Sequence, residues 1–285
     1  MYIDMRLRPP LPTWVQKANY AKGIYYPVRM GFDQPPSAQA QSMELLLEEM
    51  DDAEMQYGVV MGRQSAEPLG AIPNDEIADC IEQYPGRFLG WAGIDLSLPM
   101  QECLDEARRC IERLRFNGIS IEPSIARGID SMRADDRRLY PIYEQCLSLD
   151  VPVNISLSAV LQSTVDRPYE YSNPIQIYQV AKDFPKLDIH VAHAAWPYVM
   201  EMIGVCFVCP NVWLSPDQYM IDMVPAAHEY VKAANHYLPE RTLFGTSYPS
   251  KPLAPLVQAY KKWQWMPGVE DNVLYRNARR LMRLD

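Results

Sequence analysis

Val151-Pro152-Val153-Asn154-Ile155-Ser156-Leu157 reads as a short buried strand, and the chain on its C-terminal side decides the architecture. Residues 175–184 have helical character, and Leu187-Asp188-Ile189-His190-Val191-Ala192 is a second β-rich run. A strand, a helix and another strand make one βαβ unit, which implies parallel pairing. The same alternation runs outward in both directions. Towards the N-terminus the pattern predicts strands at 2–7, 57–61, 88–94 and 118–121, with helices at 44–53, 74–84, 100–115 and 137–149. Towards the C-terminus it predicts strands at 212–214 and 242–244, with helices at 198–205, 221–236, 253–263 and 272–284. Asn74 is expected to cap its helix. Residues 9–37, rich in Pro, Gly and aromatics, read as a long ordered loop. Eight strands, each followed by helical sequence, is the count of a (β/α)8 TIM barrel of the α/β class, with 1–285 as one domain. A doubly wound sheet is the competing arrangement, but no Gly-rich phosphate loop follows the first strand.

The composition narrows the function. Of 285 residues, 48% are hydrophobic and 22% charged, enough for a sizeable core. Lys and Arg number 27 against 36 Asp and Glu, a net charge of −9, which argues against nucleic acid or an anionic membrane as partner. No leader-like apolar segment and no long apolar run is evident, so a cytoplasmic protein with reduced thiols is expected. The six cysteines are scattered, and Cys206-Phe-Val-Cys209 lacks the second ligand pair of a zinc site. Histidine is scarce: there are four, which limits any metal site built from imidazole.

Several blocks resemble the amidohydrolase-related (amidohydrolase-2) family. Phe184-Pro185-Lys186-Leu187-Asp188-Ile189-His190-Val191-Ala192-His193-Ala194 is similar to its sixth-strand block. Arg241-Thr242-Leu243-Phe244-Gly245-Thr246-Ser247-Tyr248-Pro249 is similar to its eighth-strand block. Val273-Leu274-Tyr275-Arg276-Asn277-Ala278-Arg279-Arg280-Leu281 resembles its closing helix, and the stretch from Leu139-Tyr140-Pro141 to Val151-Pro152-Val153 resembles its fourth-helix-to-fifth-strand block. The resemblance implies a barrel fold and often a homodimer. It also implies metal-dependent decarboxylation of carboxylated aromatic or muconate-type acids, hydration, or lactone hydrolysis.

This chain departs from that pattern at the usual zinc or manganese ligands. After Ile3-Asp4-Met5, Arg6 and Arg8 stand where the family carries two histidines. Ser156 and Ser247 stand where it carries a histidine and an aspartate, and only His193 matches. Guanidinium is permanently charged and has no lone pair for a metal. No metal cofactor is therefore expected. Arg6 and Arg8 share strand parity, which would turn both towards the barrel interior. Two guanidiniums there suit a carboxylate or phosphate, or else internal salt bridges with Asp4, Glu122 or Asp95.

His193 and Glu122 are the candidate acid–base groups. Asn154, Ser156 and Ser158 share parity as a polar wall, and Ser247, Tyr248 and Trp196 are further candidate contacts to a small carboxylate- or phosphate-bearing molecule. Arg63 is a candidate to extend the cationic mouth, and Asp217 to replace the missing aspartate. His190, His228 and His236 read as structural. The expected activity is metal-independent hydrolysis of a lactone or ester, or decarboxylation. Two alternatives are a non-catalytic anion-binding barrel and an unconventional metal site drawn from His193, His190, Glu122, Asp217 and Asp4.

Overall fold

The computed structural model describes residues 1–23 and 26–284. Seven parallel strands form one sheet in chain order: β1 (Tyr2–Leu7), β2 (Met55–Met61), β3 (Phe88–Gly93), β4 (Gly118–Ile121), β5 (Val153–Ser156), β6 (Ile189–Ala192) and β7 (Val212–Ser215). Most strand residues are buried, as expected when helices cover one face and the barrel interior the other. The longer helices are α1 (Met43–Asp52), α2 (Asn74–Gln83), α3 (Met100–Glu112), α4 (Tyr140–Ser148), α5 (Ile175–Asp183), α6 (Val199–Val208), α7 (Ala227–His236) and α8 (Leu253–Lys261). A smaller core cluster, including Val59, Met61, Trp91, Trp213 and Leu243, packs against Ala278 and Leu281 near the chain's end.

The predicted eighth strand at 242–244 is not a regular strand. Thr242 makes an isolated bridge to Leu214, and Tyr248 makes one to Leu7. Met5 N–H donates to Phe244 C=O (3.0 Å), and Arg8 N–H to Tyr248 C=O (3.2 Å). Residues 242–248 thus join β7 to β1 without a continuous ladder. Ser247, at φ +56°, leaves the extended region, and Pro249 has no N–H to offer.

Other expectations change too, among them the helix expected at 221–236, which begins only at Ala227. Residues 9–37 contain short helical turns at Pro12–Val15, Ala18–Gly23, Tyr26–Arg29 and Pro36–Ala40 instead of a plain loop; 24 and 25 lie outside the described residues. Asn74 is the first residue of α2 and not its cap. Its amide pins the end of β3, accepting from Gly93 N–H (2.9 Å) and donating to Gly93 C=O (3.0 Å). The predicted helix at 272–284 opens as a π-helical turn, Asn272–Arg276, before α-helical Asn277–Leu281. The six cysteines are free and buried, and among the described residues no helix is long and apolar enough to cross a membrane.

Candidate active site

The ends of β1, β2, β4, β5, β6 and β7 deliver Arg8, Arg63, Glu122, Ser158, His193 and Asp217 to one rim, the carboxyl ends of a parallel barrel. The delivery begins with a slip in β1. Pairing with β2 shifts register between Asp4 and Leu7, and within the slip Asp4 Oδ1 accepts from Arg6 N–H (2.8 Å). Asp4 also accepts from Thr246 N–H (2.8 Å) and from the Thr246 hydroxyl, tying β1 to the closing segment. Burial outweighs these bonds and raises the Asp4 pKa to about 6.

Arg6 crosses the interior. Its Nη1 donates to Ser156 Oγ (3.3 Å) and its Nη2 to Glu122 Oε1 (3.4 Å). Arg63 meets the same carboxylate bidentately, Nε to Oε2 at 3.0 Å and Nη2 to Oε1 at 2.9 Å, and Ser65 donates a further bond. Burial alone would push Glu122 up; the charges of Arg63 and Arg6 prevail and hold it down to about 2. Glu122 is therefore a counter-ion bonded on both oxygens, not the base that its position suggested.

Arg8 differs. It is 7% exposed, and among the described residues no carboxylate bonds to its guanidinium. Burial, then the charges of Arg63 and Arg6, pull its pKa well below the ordinary value. Guanidinium keeps its proton, so Arg8 is a buried cation that no bonded carboxylate among the described residues neutralises. Arg8 lines a cavity of about 440 Å³ together with Arg63, His193, Ser247 and Lys251. Leu69, Leu161, Trp196, Tyr219 and Val224 form apolar and aromatic wall.

His193 stands at the start of a tight turn, with φ +65° at His193, +43° at Ala194 and +55° at Ala195. Such a run of non-glycine left-handed residues persists only where surroundings enforce it. Asp217 supplies that enforcement. Its Oδ2 accepts from His193 N–H (3.0 Å) and lies 3.1 Å from His193 Nδ1, a close polar contact off the line of a good ring hydrogen bond. Ser215 Oγ holds the other oxygen (2.6 Å). Burial, then Arg6, lower the His193 pKa to about 4, so the ring is neutral near pH 7. Burial raises Asp217, but its bond to His193, the His193 charge and Arg6 leave it lowered.

The remaining predicted contacts divide. Ser247 lines the cavity with an unpartnered Oγ, and Trp196 lines it too, stacked on Tyr219 at 5.0 Å. Ser158 shares a hydrogen bond with Tyr219 OH (3.0 Å) behind that wall. Asn154 donates to Ser120 (2.9 Å) and Ser156 (3.2 Å), beneath the cavity and not lining it. Tyr248 points away, its OH 2.5 Å from Ser37 Oγ, so it does not serve as a cavity contact. His190 packs edge-on against Trp91 (5.5 Å) with both ring nitrogens unpartnered. His228 is exposed beside Asp222 (3.1 Å). Sequence reasoning missed Lys251, Gln218 and Tyr219; only their closeness to Ser247 and Asp217 in the chain pointed to them.

The donor set does not fit a divalent metal. Among the described residues no three His, Cys, Asp or Glu side chains come together as ligands. Glu122 is committed to arginines and Asp4 to Thr246, while the charges of Arg6 and Arg8 both bear on His193. A cation there would meet fixed guanidiniums.

Three comparisons place this architecture. A 2-amino-3-carboxymuconate-6-semialdehyde decarboxylase from Dictyostelium discoideum is 27% identical over 265 residues, 80% of this chain and 70% of that protein. A 2-keto-4-carboxy-3-hexenedioate hydratase from Sphingobium is 29% identical over 152 residues, 48% of this chain and 45% of that protein. The crystal structure of an uncharacterised TIM-barrel protein from Bordetella bronchiseptica superposes with a TM-score of 0.89 at 33% identity, covering 99% of this chain and 98% of that one. The amidohydrolase family model of the second type matches residues 4–284, and the chain belongs to that family.

Proposed function

We propose that this barrel hydrolyses an ester or lactone of a small carboxylate-bearing molecule without a metal. The observation that carries the reading is Arg8, a buried guanidinium with no carboxylate partner among the described residues, facing the same cavity as His193. The substrate carboxylate would pair with Arg8, and the unpartnered Nη1 of Arg63 supplies a further donor. The apolar walls suit a flat or aliphatic body. A neutral His193, oriented by Asp217, would take the proton of the attacking water. Water attack needs only such a base and donors to the developing oxyanion, for which Ser247 Oγ is free. With its pKa near 4, His193 is unprotonated at pH 7, the form that can accept a proton from water. Decarboxylation is the second reading, supported by the name of the Dictyostelium relative.

Thermal-shift titration with small carboxylates, paired with acid-release and CO2-release assays on carboxylated lactones and esters, tests this. Wild-type protein should be stabilised, and Arg8→Ala should lose about 10- to 100-fold in affinity, as for a charged hydrogen bond of ~1.5–3 kcal/mol. His193→Gln should abolish turnover. Equal stabilisation of wild type and Arg8→Ala would remove the anchor. Activity lost to a chelator and restored by zinc or manganese would remove metal independence. Binding without turnover would leave an anion-binding barrel.

A further inference from the structure

Lys251 has no place in the chemistry above, yet its side chain lines the same cavity and is 3% exposed. Its Nζ touches two neutral oxygens, Gln218 Oε1 (3.3 Å) and Ser250 C=O (3.2 Å); among the described residues no carboxylate bonds to it. We propose that Lys251 is a carbonyl-reactive amine and that this site takes keto- or aldehydo-acids, with the carboxylate at Arg8 and the carbonyl carbon condensing with Lys251 Nζ. The proposal rests on the Arg8 anchor and goes beyond it by adding a covalent step.

Three features support it. The amine lines the same cavity as a carboxylate anchor and a neutral imidazole, so carbonyl, nucleophile and proton carrier can be held together. Among the described residues no acid partner bonds to the ammonium to keep it charged. Burial alone lowers its pKa to about 8, which at neutral pH gives on the order of a hundredfold more free amine than an ordinary lysine has.

The chemistry balances without a redox partner. The nitrogen lone pair forms a C–N bond while the carbonyl π pair moves to oxygen, giving a carbinolamine. Transfer of a proton from the amine nitrogen to that oxygen through the neutral His193 ring, and a second proton from solvent, let it leave as water, and a protonated C=N bond remains. Where the bound acid also carries a carboxylate β to that carbon, the C–CO2 bond can break with its electrons drawn to the iminium nitrogen. CO2 leaves, a proton returns to carbon, and water hydrolyses the imine to regenerate Lys251. A protein without a fitting metal site would so acquire an electron sink.

The test is reductive trapping on the intact chain. Wild-type protein is incubated at pH 7.5 with pyruvate or acetoacetate and sodium cyanoborohydride, then digested and mapped by mass spectrometry. One reduced adduct is expected on the peptide carrying Lys251, on the order of a hundredfold faster than at exposed lysines such as Lys232. Lys251→Arg, which keeps the charge, should lose the adduct, and Arg8→Ala should slow trapping of the acids but not of acetone. No adduct, or labelling spread over exposed lysines, overturns the proposal. A thermal shift with pyruvate read without reductant separates the two ideas. A shift without trapping overturns the amine and leaves the anchor; neither shift nor trapping overturns both.

Discussion

Arg6 and Arg8 are the same residue type two positions apart, and their partners give them different work. Arg6 shares Glu122 with Arg63, and Arg8 has the cavity. The salt-bridge reading of the pair thus fits Arg6, and the proposed anion clamp rests on Arg8 alone. Glu122→Gln should therefore strip two buried guanidiniums of their shared counter-ion and cost about 3–5 kcal/mol in urea denaturation. Arg8→Ala should leave stability within about 1 kcal/mol or raise it, since it removes a buried charge that has no ion pair. A Glu122→Gln protein as stable as wild type would refute the counter-ion role. Strand parity was enough to place Arg6 and Arg8 on one side of β1, while the register slip between Asp4 and Leu7 lay beyond what periodicity encodes. It could not say which of them would find a carboxylate, because Glu122 and Arg63 come from other strands.

Elements matter here through the way their ends are set. The mouth is built where regular strands stop, and His193, Asp217 and Ser247 all have φ near +55 to +65°. Two glycines permit close approach at these ends. A Cβ on Gly62 would lie 2.2 Å from Gly93 N, just before Arg63, and one on Gly245 would lie 2.6 Å from Asp217 Oδ1. Gly245→Ala should push the Asp217 carboxylate off His193 and cost about 1–3 kcal/mol by overpacking, read from the denaturation midpoint. It should also slow any turnover that depends on His193. Unchanged stability would mean that Asp217 has room to move, contrary to its burial and its bonds to Ser215 and His193. Seven strands and the helical alternation were legible from hydrophobic runs. The closing segment was not, because its pairing is two isolated bridges and side-chain bonds from Asp4, which periodicity does not encode. Lys251 was missed for a related reason: it lies beyond the last strand-like run, where no pattern says which way a side chain turns.

Over the whole molecule a net charge of −9 surrounds a cavity lined by Arg8, Arg63 and Lys251, so the attraction proposed for an anionic ligand would be local. The same low-dielectric interior makes stability depend on pH. Burial lowers His190 to about 3 and His193 to about 4, from 6.5 when unfolded. Above pH 6.5 both states carry neutral rings and the native structure has its full stability. As pH falls below 6.5 the unfolded chain takes protons that the native rings refuse, and stability declines. Asp4 works in the opposite direction: raised from 3.8 to about 6, it takes its proton first in the native state and adds stability as pH falls through that window. Two histidines outweigh one carboxyl, and below about pH 4.5 the lowered Glu122 and Asp217 join the loss. A tenfold difference in proton affinity between the folded and unfolded chain is worth about 1.4 kcal/mol, so unfolding free energy should drop by on the order of 2 kcal/mol between pH 7.5 and pH 5. Urea denaturation at the two pH values measures it. A flat or rising profile would mean that the buried rings gain protons with the native fold intact, and a neutral His193 could then no longer serve as the base.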